Sequence, residues 1–152
     1  MSSPACCPVE LKYATTLLVK DHCLCLHVQR AARALARRFD EAFRPLGLTN
    51  GQFSLLMSLN RPEPPHMAPV ADLLAMDRTT LTAALKPLER RGLVKVAQHT
   101  ADRRSRILML TARGKALLAR AVPIWEQTHA EIEGQLGNIA PEELRAGLLA
   151  IC

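Results

Sequence analysis

Three arginines and an aspartate crowd into five positions of "HTADRRSRILML", His99 to Leu110, which then turns apolar: Asp102, Arg103, Arg104 and Arg106 with Ser105 among them. Guanidinium groups at that density suit phosphates and groove edges, because each is a planar fork of N–H donors that keeps its charge. A related set lies just upstream. "MDRTTLTAALKPLERRGLV" offers Asp77 as a helix N-cap and places Leu81, Ala84, Leu85 and Leu88 on one face at helical spacing. The opposite face then carries Thr79, Thr82, Ala83, Lys86 and Arg90, with Arg78 in the first turn. Short hydrogen-bonding side chains near a helix start, followed by long cations, suit a helix laid in a major groove: the first reach base edges, the second reach phosphates. Pro87 predicts a kink or an early helix end, and Gly92 a stop.

The second chemistry on offer is sulfur. "DHCLCLH" holds His22, Cys23, Cys25 and His27 within six residues, and Cys6, Cys7 and Cys152 complete five cysteines. On a continuous helix Cys23 and Cys25 point about 200° apart, so only Cys23 with His27, or His22 with Cys25, share a face. A metal ion held by Cys23 and His27 would need a further ligand, such as Cys6 or Cys7. Three readings stand side by side: buried structural thiols, sensor thiols (Cys6, Cys7, Cys23, Cys25) that answer to oxidation or a soft metal(loid), and incidental cysteines. Neighbouring Cys6 and Cys7 make poor mutual partners, since a vicinal disulfide is strained. An odd cysteine count in a chain of 152 residues argues against a disulfide framework. There is no Cys-x-x-Cys, no nucleophile triad, no paired carboxylates and no glycine-rich phosphate loop, so the chain reads as a non-enzyme that requires no cofactor. The competing class is a thiol-based metal-handling or redox protein without DNA binding; a helical protein-interaction module is a third.

These residues need a scaffold, and 152 residues give one compact domain spanning 1–152. The formal charge of +6 is concentrated: Asp77 to Lys115 contains ten Lys/Arg against three Asp/Glu, a local +7 that leaves the remainder at −1. A basic surplus confined to a quarter of the chain points to a polyanionic partner. No run of about 18 apolar residues exists to span a bilayer, and the start lacks a secretory pattern, so the expected location is the cytoplasm.

Apolar Leu24, Val28, Ala31, Leu35, Phe39 and Ala42 mark an amphipathic helix that Pro45 and Gly47 end. Thr49 caps a second helix with a stripe of Phe53, Leu56, Met57 and Leu59, and "NRPEPPH" closes it and separates two helical units. A short helix around Val70 to Ala75 leads into the Asp77 helix. "LVKVAQ" and "RILML" then read as a β-hairpin whose polar loop, Gln98 to Ser105, carries the arginines. Thr111 caps a long helix through Ala116, Leu117, Ala121, Ile124 and Ile132, bent at Pro123 and holding Trp125 as a core residue. Pro141 opens a last short helix.

The order "LTNGQFSLLMSL", "VADLLAMDRTTLTAALKPLERRGLVKV", a wing with Asp-Arg-Arg-Ser, then "LTARGKALL" resembles the MarR (multiple antibiotic resistance regulator) family of winged-helix transcription factors, over roughly Leu24 to Gln135. Asp102 and Arg104 match the aspartate and arginine of that family's wing, and Gly92 its "RRGL" turn. The resemblance implies a mainly α fold with a small β-hairpin wing: a winged helix-turn-helix lobe at 49–110 and a helical dimerisation lobe from 12–45 and 111–152. It also implies a homodimer on a pseudo-palindromic operator of double-stranded DNA, more often a repressor, released by a small-molecule effector or thiol oxidation. Within it Asp102 orients the wing, and Arg78, Thr79, Thr82, Ala83, Lys86, Arg90, Arg103, Arg104 and Arg106 face DNA.

Overall fold

The computed structural model describes residues 11–98 and 106–152, as seven α-helices and one two-stranded antiparallel sheet. The chain divides into two compact units, residues 1–35 and 36–152. Helix α1 (Tyr13–His22) and most of α2 (Leu24–Phe43) belong to the first. Cys23 separates them in extended backbone, φ −74° and ψ 104°, a break that no glycine or proline announces. The apolar stripe expected on α2 is there by spacing, yet Leu24 and Leu35 are 62% and 41% exposed in the single chain.

The second unit holds the core. At the end of α2, Phe39 stacks on Phe43 with ring centroids 5.8 Å apart, and Phe43 stacks on Phe53 of α3 (Asn50–Ser58) at 4.7 Å. A 3₁₀ turn, Arg44–Leu46, and Gly47 at φ 61° reverse the chain between these helices. Thr49 caps α3 as expected, in a full capping box: its hydroxyl accepts from Gln52 N, and Gln52 Oε1 accepts from Thr49 N. The buried face of α3 is Phe53, Leu55, Leu56 and Ser58, while Met57 is 40% exposed, which corrects the expected stripe. The nine-residue helix meets neighbours on more than one side, so a single-stripe reading was too narrow.

Helix α4 (Met67–Leu73) starts three residues earlier than its apolar run suggested and ends in a Schellman motif, with Met76 N bonded to Ala71 O and Ala75 N to Asp72 O. The left-handed position of that motif is Ala75, φ 50°, where glycine is usual. Helix α5 (Arg78–Arg90) continues past Pro87 to Arg90, so the early end, one of the two outcomes expected there, does not occur. Leu88, fully buried one residue later, holds the last turn against the core. Gly92, φ 66°, provides the stop.

Strands β1 (Val94–Gln98) and β2 (Arg106–Leu110) pair from Val94 with Leu110 to Gln98 with Arg106. The proline-rich segment is more than a divider: Pro65 is buried, its carbonyl accepts from Leu108 N at 2.9 Å, and His66 bridges Ile107. A proline carbonyl still accepts, so the segment edges the sheet although Pro65 has no N–H to give. Helix α6 (Ala112–Glu133) is capped by Thr111 and continues through Pro123; α7 (Pro141–Leu149) follows. Trp125 is no core residue. It is 37% exposed and lies tilted against the His129 ring at 4.8 Å. Among the described residues no helix is long and apolar enough to cross a membrane.

Candidate nucleic-acid interface

Helix α5 owes its start to two side chains. Asp77 Oδ1 accepts from Thr80 N at 2.8 Å, and Asp77 Oδ2 accepts from Thr80 Oγ1 at 2.6 Å. The hydroxyl bond first and the backbone bond second hold the Asp77 carboxyl below its ordinary range. Thr80 is therefore part of the cap. Leu81, Leu85 and Leu88 are buried, which turns Arg78, Thr79, Ala83, Lys86 and Arg90 outward, all exposed.

Thr82 differs from its neighbours. It is half-buried, and its Oγ1 donates to Arg78 O at 2.7 Å. A hydroxyl has one proton and two lone pairs, so with the proton spent inside the helix Thr82 can only accept from a ligand or offer its methyl group. In a major groove those options select the amino edge of adenine or cytosine, or the thymine methyl. Thr79 makes no hydrogen bond through its side chain among the described residues and keeps both roles.

The hairpin stands beside this helix through the shared core of Leu85, Leu88, Val94 and Leu108, and Glu89 adds a polar tie, its Oε1 accepting from Val96 N at 3.3 Å. Between helix and hairpin lies a cleft of about 320 Å³ whose lining includes Lys86 and Arg106 together with Thr82, Glu89 and Gln98. Two cations from different elements thus flank one channel, an arrangement that suits a phosphate backbone passing between two grooves. Neither Glu89 nor Arg91 was singled out from sequence. Arg91 turns away from this face, donating from Nη1 to Gly47 O at 2.8 Å and to Gln52 Oε1 at 3.3 Å. Glutamate in the "LERRGLV" phrase looked like a solvated helix charge, and only strand placement reveals it as a tether. Asp102, Arg103 and Arg104 lie outside the described residues; Gln98 and Arg106 mark where their loop leaves and returns.

The sulfur cluster takes a form the helical argument did not foresee. Cys23 lies between helices, its Sγ accepting from Leu26 N at 3.4 Å and its carbonyl from His27 Nδ1 at 2.8 Å. His22 Nδ1 likewise bonds Leu18 O at 3.0 Å, and Gln29 Nε2 donates to Cys25 Sγ at 3.1 Å. One ring nitrogen of each histidine is thus engaged with a backbone carbonyl. Among the described residues no group of three His, Cys, Asp or Glu side chains gathers as a metal site. Cys25 and Cys152 are exposed and Cys23 half-buried, so these three are not the buried thiols that one reading expected. Cys6 and Cys7 lie outside the described residues.

Comparison with known proteins places this geometry. The MarR family model matches residues 48–105. Transcriptional regulator HosA of Escherichia coli O157:H7 is 30% identical over 96 residues, 63% of this chain and 69% of that protein. The crystal structure of the M. tuberculosis transcriptional regulator MosR in complex with DNA is similar with a TM-score of 0.78 and 37% identity, over 86% of this chain and 93% of that one. The transcriptional repressor CouR bound to a 23-mer DNA duplex is similar with a TM-score of 0.70 and 32% identity, over 93% and 95%.

Proposed function

The chain belongs to the MarR family, and on that premise we propose that it is a transcriptional repressor, a homodimer on a pseudo-palindromic operator in double-stranded DNA. The observation that carries the proposal is the single surface formed by the outward face of α5 and the hairpin tied to it through Glu89. On this proposal Arg78, Thr79, Thr82 and Ala83 meet base edges, Lys86, Arg90 and Arg106 meet phosphates, and the wing residues Arg103 and Arg104 serve the neighbouring minor groove or its phosphates, with Asp102 as the wing-orienting residue. The DNA complexes of the similar MosR and CouR support the same partner here.

Residues 49–110 form the DNA-reading lobe, and 12–45 with 111–152 form the lobe through which two copies associate. Support for the second assignment is apolar exposure in the single chain: Tyr13 at 72% and Leu18 at 58% on α1, Leu149 at 73% on α7. Surfaces of that kind seldom stay wet. Two copies then present two α5 helices to successive turns of the duplex, which is why the operator mirrors itself. Release follows when an effector binds a dimer geometry that no longer matches the half-site spacing. A mainly apolar cavity of about 470 Å³, lined by Phe53, Met57, Leu73, Leu74, Val122 and Trp125, supports a small-molecule effector. The exposed Cys25 thiol supports oxidation or a soft metal(loid) as the other route.

The test is a retardation assay on the DNA upstream of the coding region, repeated across salt concentrations. Specific binding with affinity falling steeply as salt rises is the expected result, since each neutralised phosphate releases counterions. No shift on that DNA, or an affinity indifferent to salt, overturns the proposal.

A further inference from the structure

We propose that Arg91, Arg113 and Arg120 form a second, separate site that takes a small oxyanion carrying two or more negative charges. The three arginines line one cavity of about 310 Å³ floored by Leu46, Leu93 and Leu117, and no carboxylate lines it. Arg113 and Arg120 lie seven residues apart on α6, two turns or about 10 Å along one face. Ala116, between them, is small enough to leave a hollow. Arg91, the residue that caps α5, closes the third side.

What sets this cluster apart is three guanidinium groups gathered around one cavity with no carboxylate in its lining, whereas other arginines of the chain are neutralised by a neighbour. Arg38 meets Glu131, Arg44 meets Glu41, and Arg145 meets both Glu133 and Glu142. Arg113 and Arg120 have no hydrogen bond or ion pair among the described residues. Three like charges around one hollow repel each other until an anion enters, and guanidinium forks hold phosphate or carboxylate oxygens in pairs. A phosphate-bearing or a polycarboxylate ligand meets that chemistry.

The site is remote from the base-reading end of α5. Thirteen helical residues separate Asp77 from Arg91, about 20 Å of axial rise. Arg91 also reaches back: its Nη1 group bonds Gly47 O and the Gln52 side chain of the α3 capping box. An anion held by the remaining donors of Arg91 and by α6 would join three elements at the foot of α5, so its occupancy stabilises the folded chain.

Calorimetric titration of the full chain, without DNA, with pyrophosphate and separately with citrate at matched ionic strength tests this. One saturable site per chain is expected for at least one of the two, and which one binds tells phosphate from carboxylate recognition. The exposed double variant Arg113→Gln/Arg120→Gln should bind at least tenfold more weakly while melting as the wild type does in anion-free buffer. Binding that vanishes at matched ionic strength, or a variant that binds equally well, overturns the proposal. So does a variant that loses operator affinity or dimer mass without any anion, since the arginines would then serve DNA or a second copy. The titration contains no DNA, so failure of the repressor assignment leaves its outcome untouched.

Discussion

Gly114 allows a sharp test of how the wing is seated. Its N–H donates to Thr111 Oγ1 at 3.0 Å in the first turn of α6, and a Cβ added there would lie 2.2 Å from Leu93 O, 2.8 Å from Leu110 Cδ1 and 3.1 Å from Leu93 C. Carbon and carbonyl oxygen rest about 3.3 Å apart at closest, so Gly114→Ala forces Leu93 to retreat by about 1 Å. Leu93 is at the base of the hairpin, fully buried, and its carbonyl also accepts from Thr111 N at 3.1 Å. Overpacking a rigid backbone costs about 3 kcal/mol, near the upper end of its usual range, and the better helix propensity of alanine returns about 1 kcal/mol. The net loss of about 2 kcal/mol lowers Tm by about 4–8 °C for a chain of this size. Thermal unfolding followed by circular dichroism, at one protein concentration, measures it. Gly147→Ala in α7, where an added Cβ meets nothing within 4 Å, is the matched control and should hold or raise Tm. If Gly114→Ala melts with or above the wild type while the control behaves, the close approach of α6 to the hairpin base is wrong, and the seating of the wing with it.

Three further outcomes follow from the site. Thr82→Val keeps the methyl and removes the acceptor, so binding-site selection should show a changed base at one position per half-site, with affinity down about fivefold, or about 1 kcal/mol, for one lost bond; an unchanged selected sequence counts against Thr82 as a reader. Arg104→Ala should weaken operator binding by about several-fold to a few hundred-fold, in keeping with about 1–3 kcal/mol for a specific contact, with the circular dichroism spectrum intact. Equal affinity would remove the wing from the interface. The Asp77 carboxyl is held below its ordinary range by Thr80, so its cap is complete above the unfolded aspartate pKa of about 3.9 and is lost as pH falls through the lower folded value. The Tm difference between wild type and Asp77→Ala should therefore be constant from about pH 5 to 8 and close in stronger acid. A gap that persists undiminished at about pH 2 would mean that the carboxylate is not what caps α5.

Much of the site was legible because it is local. Asp77, Thr49 and Thr111 each act on an N–H three residues on, a distance that sequence spacing encodes. Helical period alone turned Leu81, Leu85 and Leu88 inward and so exposed the opposite, cationic face. What escaped reading depends on partners far along the chain or on tertiary support that overrides propensity. The Pro65 carbonyl finds Leu108 N across 43 positions, Arg91 finds Gly47 across 44, and neither link leaves a periodic trace. Ala75 occupies a glycine's conformation because its neighbours bond around it, and Pro87 stays helical because Leu88 is locked in the core. The break at Cys23 escaped for a third reason: no proline or glycine marks it.

Periodicity has one more blind spot, and it bears on function. Leu24 and Leu35 lie on the apolar stripe read from the sequence, yet both stay exposed in the single chain, as do Leu17 and Val19 of α1 at 37% and 52%. A stripe of that spacing says which face must be covered and nothing about which molecule covers it. Phe39 and Phe43 continue the same helix and are buried, so one amphipathic element is satisfied within its own chain at one end and left wanting at the other. At about 25 cal/mol per Å² of apolar surface, covering several such side chains is worth several kcal/mol to whatever docks there. A second copy of the chain offers the matching stripe at no cost in new sequence, and it brings a second α5 with it. If the proposed homodimer forms there, the unsatisfied half of α2 and the proposed two-fold reading of DNA are consequences of one association.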